Sequence, residues 1–177
     1  MNPADRSQML QMLAESRDQL VDATAGISNE QSKMRPAPDR WSILECVEHV
    51  GRAENGMFGM LTTQMVPSGV AADRSREERL IRNAVDRNQK AEAPDRAHPV
   101  GRFATLAEAL GDFCEKRGRT IAYIEGYAED LRSCSMQHPV VGPCTGHEFL
   151  ILMALHPARH AGQIREVRAS LGLPGVA

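Results

Sequence analysis

Apolar residues recur at helical intervals in four stretches of this chain, and each stretch is bounded by residues that start or stop a helix. From about Asp5 to Ala25, the side chains of Met9, Met12, Leu13, Leu20 and Ala23 share one side. The polar segment GISNEQSKMRPAPDR follows, and its prolines forbid continuation. A second helix is predicted after Trp41, where Ser42 and Glu45 have the spacing of a capping box, through ILECVEHVGRAENGMFGMLTTQM to Met65. Gly51, Gly56 and Gly59 weaken it locally. A third opens with Thr105 and Glu108 at the same spacing and carries Leu106, Leu110, Phe113, Ile121 and Ile124 to about Leu131. The fourth repeats the device with Thr145 and Glu148, runs from about His147 to Leu171, and stops at Gly172 with Pro174 just beyond. No strand pattern competes with these four helices.

Between the second and third helices lies a long connection, residues 66–104, punctuated by Pro67, Gly69, Pro94, Pro99 and Gly101. Its middle, DRSREERLIRNAVDRN, can form a short surface helix. A connection of that length can run the whole height of a bundle, which lets the second and third helices lie parallel, while the shorter loops join antiparallel neighbours. The reading is an all-α fold, one domain over residues 1–177, built as a four-helix bundle with a long crossover.

Composition changes this picture little. At 177 residues, with 42% apolar and 25% charged residues, the chain suits one globular domain. Aromatics at 4% and nine methionines predict an aliphatic core. A formal net charge of −2 gives no electrostatic reason to expect nucleic acid or acidic membrane as a partner, so a small-molecule substrate is the better expectation. No run approaches the roughly 18 apolar residues of a membrane span. Cys46, Cys114, Cys134 and Cys144 form no CxxC pair and no secretory-type segment precedes them, which predicts a reduced, cytoplasmic setting.

The candidate chemistry lies in the histidines. His156 and His160 stand four apart, so their imidazoles leave one face of a helix about 40° and about 6 Å apart. Phe149, Leu152, Ile164, Val167 and Leu171 share that face, which should look into a core. On the second helix His49 lies on the stripe Cys46, His49, Ala53, Met57 and Met60. A lone histidine on such a stripe is usually a hydrogen-bonded core residue. An i, i+4 pair with a third from another inward face makes a metal site the better reading. Three imidazoles around Zn²⁺ leave a fourth position for water or substrate, the mark of catalytic more than structural sites. Nitrogen donors suit Ni²⁺ as well, so the expected metal is zinc or nickel. The pair is not the HExxH of zinc proteases, because Pro157 follows His156 where that motif supplies its base.

Several neighbours qualify as supporting residues. Gln163 and Glu45 can each orient an imidazole N–H, although Glu45 is also the capping partner of Ser42. Pro157 removes a bond to the carbonyl of Met153, so the fourth helix should kink there or restart. Arg117 falls in line with Leu110, Phe113, Ile121 and Ile124, where a guanidinium either snorkels at a bundle edge or binds an anionic group beside the metal. His98, His138 and His147 fall outside the predicted site.

The stretches PAPDRWSILECVEHV, FATLAEALGDFCEKRGRTIAYIE and TGHEFLILMALHPARHAGQI resemble those of the DinB-like (also YfiT-like) four-helix metalloproteins, in particular the second DinB domain type. The resemblance covers nearly the whole chain. It implies an up-down-down-up bundle, frequent homodimers, and a three-histidine metal site that maps onto His49, His156 and His160. It does not deliver a substrate: relatives include mycothiol-dependent and bacillithiol-dependent enzymes, in which the metal activates a low-molecular-weight thiol. Two function classes follow. One is a metal-dependent transferase or hydrolase that activates a thiol or water; the other is a non-catalytic, metal-stabilised ligand-binding or stress-response protein.

Overall fold

The computed structural model describes residues 1–88 and 93–175; residues 89–92 of the long connection and 176–177 of the predicted domain lie outside the described residues. Six α-helices are formed among the described residues: α1 (Pro3–Ala23), α2 (Asn29–Ser32), α3 (Ile43–Thr63), α4 (Arg74–Ala84), α5 (Leu106–Gly126) and α6 (Gly146–Ser170). The four long ones are the bundle, and α3, α5 and α6 each begin with a complete capping box from Ser42 and Glu45, Thr105 and Glu108, and Thr145 and Glu148. Short α2, within the predicted polar loop, is capped the same way by Ser28 and Gln31. The middle of the long connection forms α4, which Asp73 caps.

Cross-helix bonds fix the directions. Glu54 pairs with Arg117 and Asn55 with Arg119, while Phe58 meets the ring of Tyr123, so numbers rise together along α3 and α5 and the two helices are parallel. Arg6 reaches the Tyr127 carbonyl and Leu13 meets Arg117, so α1 is antiparallel to α5. Arg132 joins Asp5 to His147 near one end, and Arg168 donates to the Ala23 carbonyl at the other, which makes α1 and α6 parallel. The bundle is therefore up-down-down-up, with α1 and α3 each packed on both α5 and α6.

Two expectations need correction. Strands are present: β1 (Val66–Pro67), β2 (Cys134–His138) and β3 (Gly142–Thr145) make a three-stranded antiparallel sheet in the order β1-β2-β3. They were passed over because β2 and β3 offer only five and four residues and β2 alternates over just Cys134 to Gln137, while β1 exists only through its pairing with Ser135 and Cys134. The third helix also ends earlier than Leu131: Tyr127 turns extended at φ −75°, ψ 113°, and Leu131 enters the core from a single 3₁₀ turn. Gly146 begins α6 against this layer; a Cβ there would stand 2.9 Å from the Leu131 carbonyl oxygen and 2.7 Å from the Cys134 sulfur.

Buried apolar side chains form two groups. One, near the sheet, gathers Met9, Leu13, Met60, Leu61, Ile124, Leu131, Phe149 and Leu150. The other gathers Leu20, Ile43, Val47, Val50, Phe113, Ile164 and Val167. Between them lies a wholly buried polar layer of Ser16, Glu54, Arg117 and Thr120. On α6 the boundary falls between Ala154 and Ala161, the segment that carries His156 and His160.

Candidate metal centre

His49 lies in the second turn of α3, and His156 and His160 occupy successive turns of α6. The packing of α3 on α6 brings the three rings together, with centroids 4.5–5.1 Å apart. His156 Nε2 stands 3.3 Å from His49 Nε2 and 3.1 Å from His160 Nε2. Those separations match the edge of a tetrahedron of nitrogens about 2.0–2.1 Å from an ion, which is about 3.3 Å. No other group of three histidine, cysteine or acidic side chains converges in this way among the described residues.

Hydrogen bonds at the far nitrogens select the tautomers. His49 Nδ1 donates to the Ala97 carbonyl at 2.8 Å, and His160 Nδ1 donates to Gln163 Oε1 at 2.8 Å, so each presents a bare lone pair on Nε2. His156 Nδ1 is buried with no hydrogen-bond partner among the described residues. With its proton on Nε2, His156 can serve one neighbouring lone pair and leaves the other facing it. With the proton on Nδ1, three lone pairs meet. Either way the cluster is short of positive charge, and a cation with a preference for nitrogen is what it fits.

Burial lowers the pKa of His49 to about 4, outweighing the hydrogen bond to the Ala97 carbonyl, and Arg52 acts in the same direction as burial. His156 and His160 are held well below the usual value by burial and by their charged neighbours. At neutral pH all three rings are thus in the uncharged form that ligation requires. Trp41 touches both His49 and His98, with ring centroids 4.8 and 5.7 Å away.

The remaining candidates separate. Gln163 lies beside His160 as described. Glu45 does not approach the rings: its carboxylate accepts from the Ser42 N–H and pairs with Arg35, because the capping geometry turns it back over the end of α3. Arg117 neither snorkels nor faces an open pocket. It is 0% exposed, and its guanidinium is taken up by Glu54 and by main-chain carbonyls of α1 and α6. Pro157 does not restart the helix; α6 is continuous through it. His98, His138 and His147 bond elsewhere, to the Ala93 carbonyl, to the Val140 and Val141 amides, and to Arg132.

Sequence reasoning passed over Glu48 and Ala97. Glu48 is 2% exposed, and its carboxylate accepts from the amides of Val100, Gly101 and Arg102, pinning the end of the long connection so that Ala97 presents its carbonyl to His49. No sequence signal marked it, because Glu45, Arg52 and Asn55 stand at helical spacing from it and make that side of the helix read as polar surface.

The sequence profile of a family described as mycothiol-S-transferase matches residues 8–172. The uncharacterized protein YuaE of Bacillus subtilis (strain 168) is 24% identical over 157 residues, 89% of this chain and 95% of YuaE. Among solved structures, YfiT from Bacillus subtilis, described as a probable metal-dependent hydrolase with an unusual four-helix bundle topology, superposes with a TM-score of 0.62 at 17% identity, covering 98% of this chain and 91% of YfiT. A conserved protein from Enterococcus faecalis gives 0.65 at 16% identity, covering 97% of this chain and 99% of its own. The bundle is the fold these structures share.

Proposed function

The chain belongs to the mycothiol-S-transferase family, and from that premise we propose that it is a metal-dependent thiol transferase whose ion is held by His49, His156 and His160. The observation that carries this reading is the convergence of three Nε2 atoms, two of them with their lone pairs selected by hydrogen bonds behind the ring. Zinc or nickel suits the all-nitrogen donor set. When bound, such an ion supplies Lewis acidity that lowers the pKa of a coordinated thiol or water toward neutrality.

The chain's own part is to hold three neutral imidazoles and to keep other ligands away. No carboxylate belongs to the cluster among the described residues, and Glu45, Glu48 and Glu54 are each committed to other partners. A site without its own base favours a substrate that becomes nucleophilic by losing a single acidic proton. A low-molecular-weight thiol meets that requirement better than water does, and mycothiol is the one by which the family is described. Four free thiols support a reducing, cytoplasmic setting, and a homodimer is what the family resemblance implies.

The test is elemental analysis and turnover of protein loaded with zinc or nickel, beside the His49→Ala, His156→Ala and His160→Ala variants. Each variant is expected to lose most of its metal under mild chelator, and the loaded parent to transfer a thiol to an electrophile faster than it hydrolyses esters or amides. Full metal content in all three variants would sink the ligand assignment. Hydrolysis without thiol transfer would move the reading to a hydrolase, and neither activity would move it to ligand binding.

A further inference from the structure

Two of the three rings are oriented by hydrogen bonds of their own, and the third is not: His156 Nδ1 has no partner among the described residues. With nothing bonded behind the ring, its direction rests on the backbone that carries it, and that backbone has a defect. Pro157 lacks an N–H, so the Met153 carbonyl, four residues earlier and buried, loses its helical partner. Arg117 Nη2 fills the gap from α5, donating to the Met153 carbonyl at 3.1 Å, while Nη1 lies 3.5 Å from the Ala154 carbonyl. The same guanidinium meets Glu54 at 2.8 Å and the Leu13 carbonyl and Ser16 hydroxyl of α1 at 3.3 Å. Thr120 donates to the second Glu54 oxygen at 2.7 Å, so the charge of the guanidinium is met inside the layer, and of its nitrogens Nε is left without a partner among the described residues.

Resting on the metal reading above, we propose that Arg117, held by Glu54, is a positioning residue for His156: it replaces the helix bond that Pro157 deletes and fixes the turn from which the ring projects. Glu54 sits five residues after His49 on α3, so the device also ties the helix of one ligand to the helix of the other two. Lysine cannot do this, because one ammonium lacks the planar fork that reaches a carboxylate and a carbonyl at once.

A merely structural role predicts a loss of stability alone. Positioning predicts more, and cobalt(II) is the probe, since its visible bands report coordination geometry. In Arg117→Met combined with Glu54→Gln, which removes both charges together and leaves no buried unpaired ion, the cobalt dissociation constant should rise about 10-fold and the bands should shift, with far-ultraviolet circular dichroism retained. Adding Pro157→Ala restores an N–H to the Met153 carbonyl and should return both readings toward those of the parent; Pro157→Ala alone should change neither. Unchanged cobalt binding and spectrum in the folded double variant overturn the inference, as does a change that Pro157→Ala fails to relieve. Should the double variant not fold, Arg117→Lys carries the same comparison with the charge kept. A parent that binds no cobalt, or that keeps it after the histidines are removed, overturns the metal reading and this inference with it.

Discussion

At the scale of single residues, the site depends on which nitrogen of each imidazole carries the proton. Gln163 settles this for His160, so Gln163→Leu, which leaves the Nδ1 proton without an acceptor, should weaken metal binding about 10-fold in a chelator competition while helix content stays the same. An unchanged affinity would mean that the ring is held by packing alone. At the other end of the bundle, Asp5 is a separate and purely structural case. Burial opposes its charge, but Arg132 and Arg74 outweigh this and hold its carboxyl below the usual range. Its ionised form is therefore the folded form. The stability it contributes is complete above about pH 3.9, the value of an unfolded aspartate, and is lost as pH falls through the lower folded value. Asp5→Asn should accordingly melt below the parent at pH about 6, with the gap closing below about pH 4. A gap that stays constant on acidification would show that Arg132 and Arg74 are not what holds the carboxylate charged.

At the scale of elements, three helix starts were legible from one local rule, because a capping box needs only residues three apart in the chain. The end of α5 was not read, although Gly126 stands at it, since Leu131 keeps the apolar rhythm from a different element. The end of the long connection is an element of the site in its own right. Glu48 holds three consecutive amides there, so Glu48→Ala should cost about 2 kcal/mol or more in chemical denaturation, the loss of hydrogen bonds to a charged group. Amide exchange at Val100, Gly101 and Arg102 should rise with it. Protection that survives the substitution would mean the segment docks by other contacts.

For the molecule as a whole, the question is whether the ion belongs to the fold or to the function. The two apolar groups flanking the polar layer bury side chains from all four long helices without help from the histidines. Removing metal should therefore leave the circular dichroism spectrum helical at room temperature, with at most a lower melting temperature. Wholesale loss of helix on chelation would make the centre a structural one.

The chain alone determines the four long helices, the parallel pair implied by the long connection, and the inward face of each histidine, because these follow from spacings of three, four and seven residues within one segment. Tertiary structure decides which inward groups meet. Arg117 stood out in the sequence as a charge on an apolar stripe, but its partners lie 63 residues away in Glu54 and 36 away at Met153. The acceptor for His49 is a main-chain carbonyl 48 residues on, at Ala97, which no side-chain pattern marks. Spacing sets the direction in which a side chain leaves its own helix. What it finds there depends on the rotation and register of neighbouring helices, and those are settled only when the cores on either side of the polar layer close together.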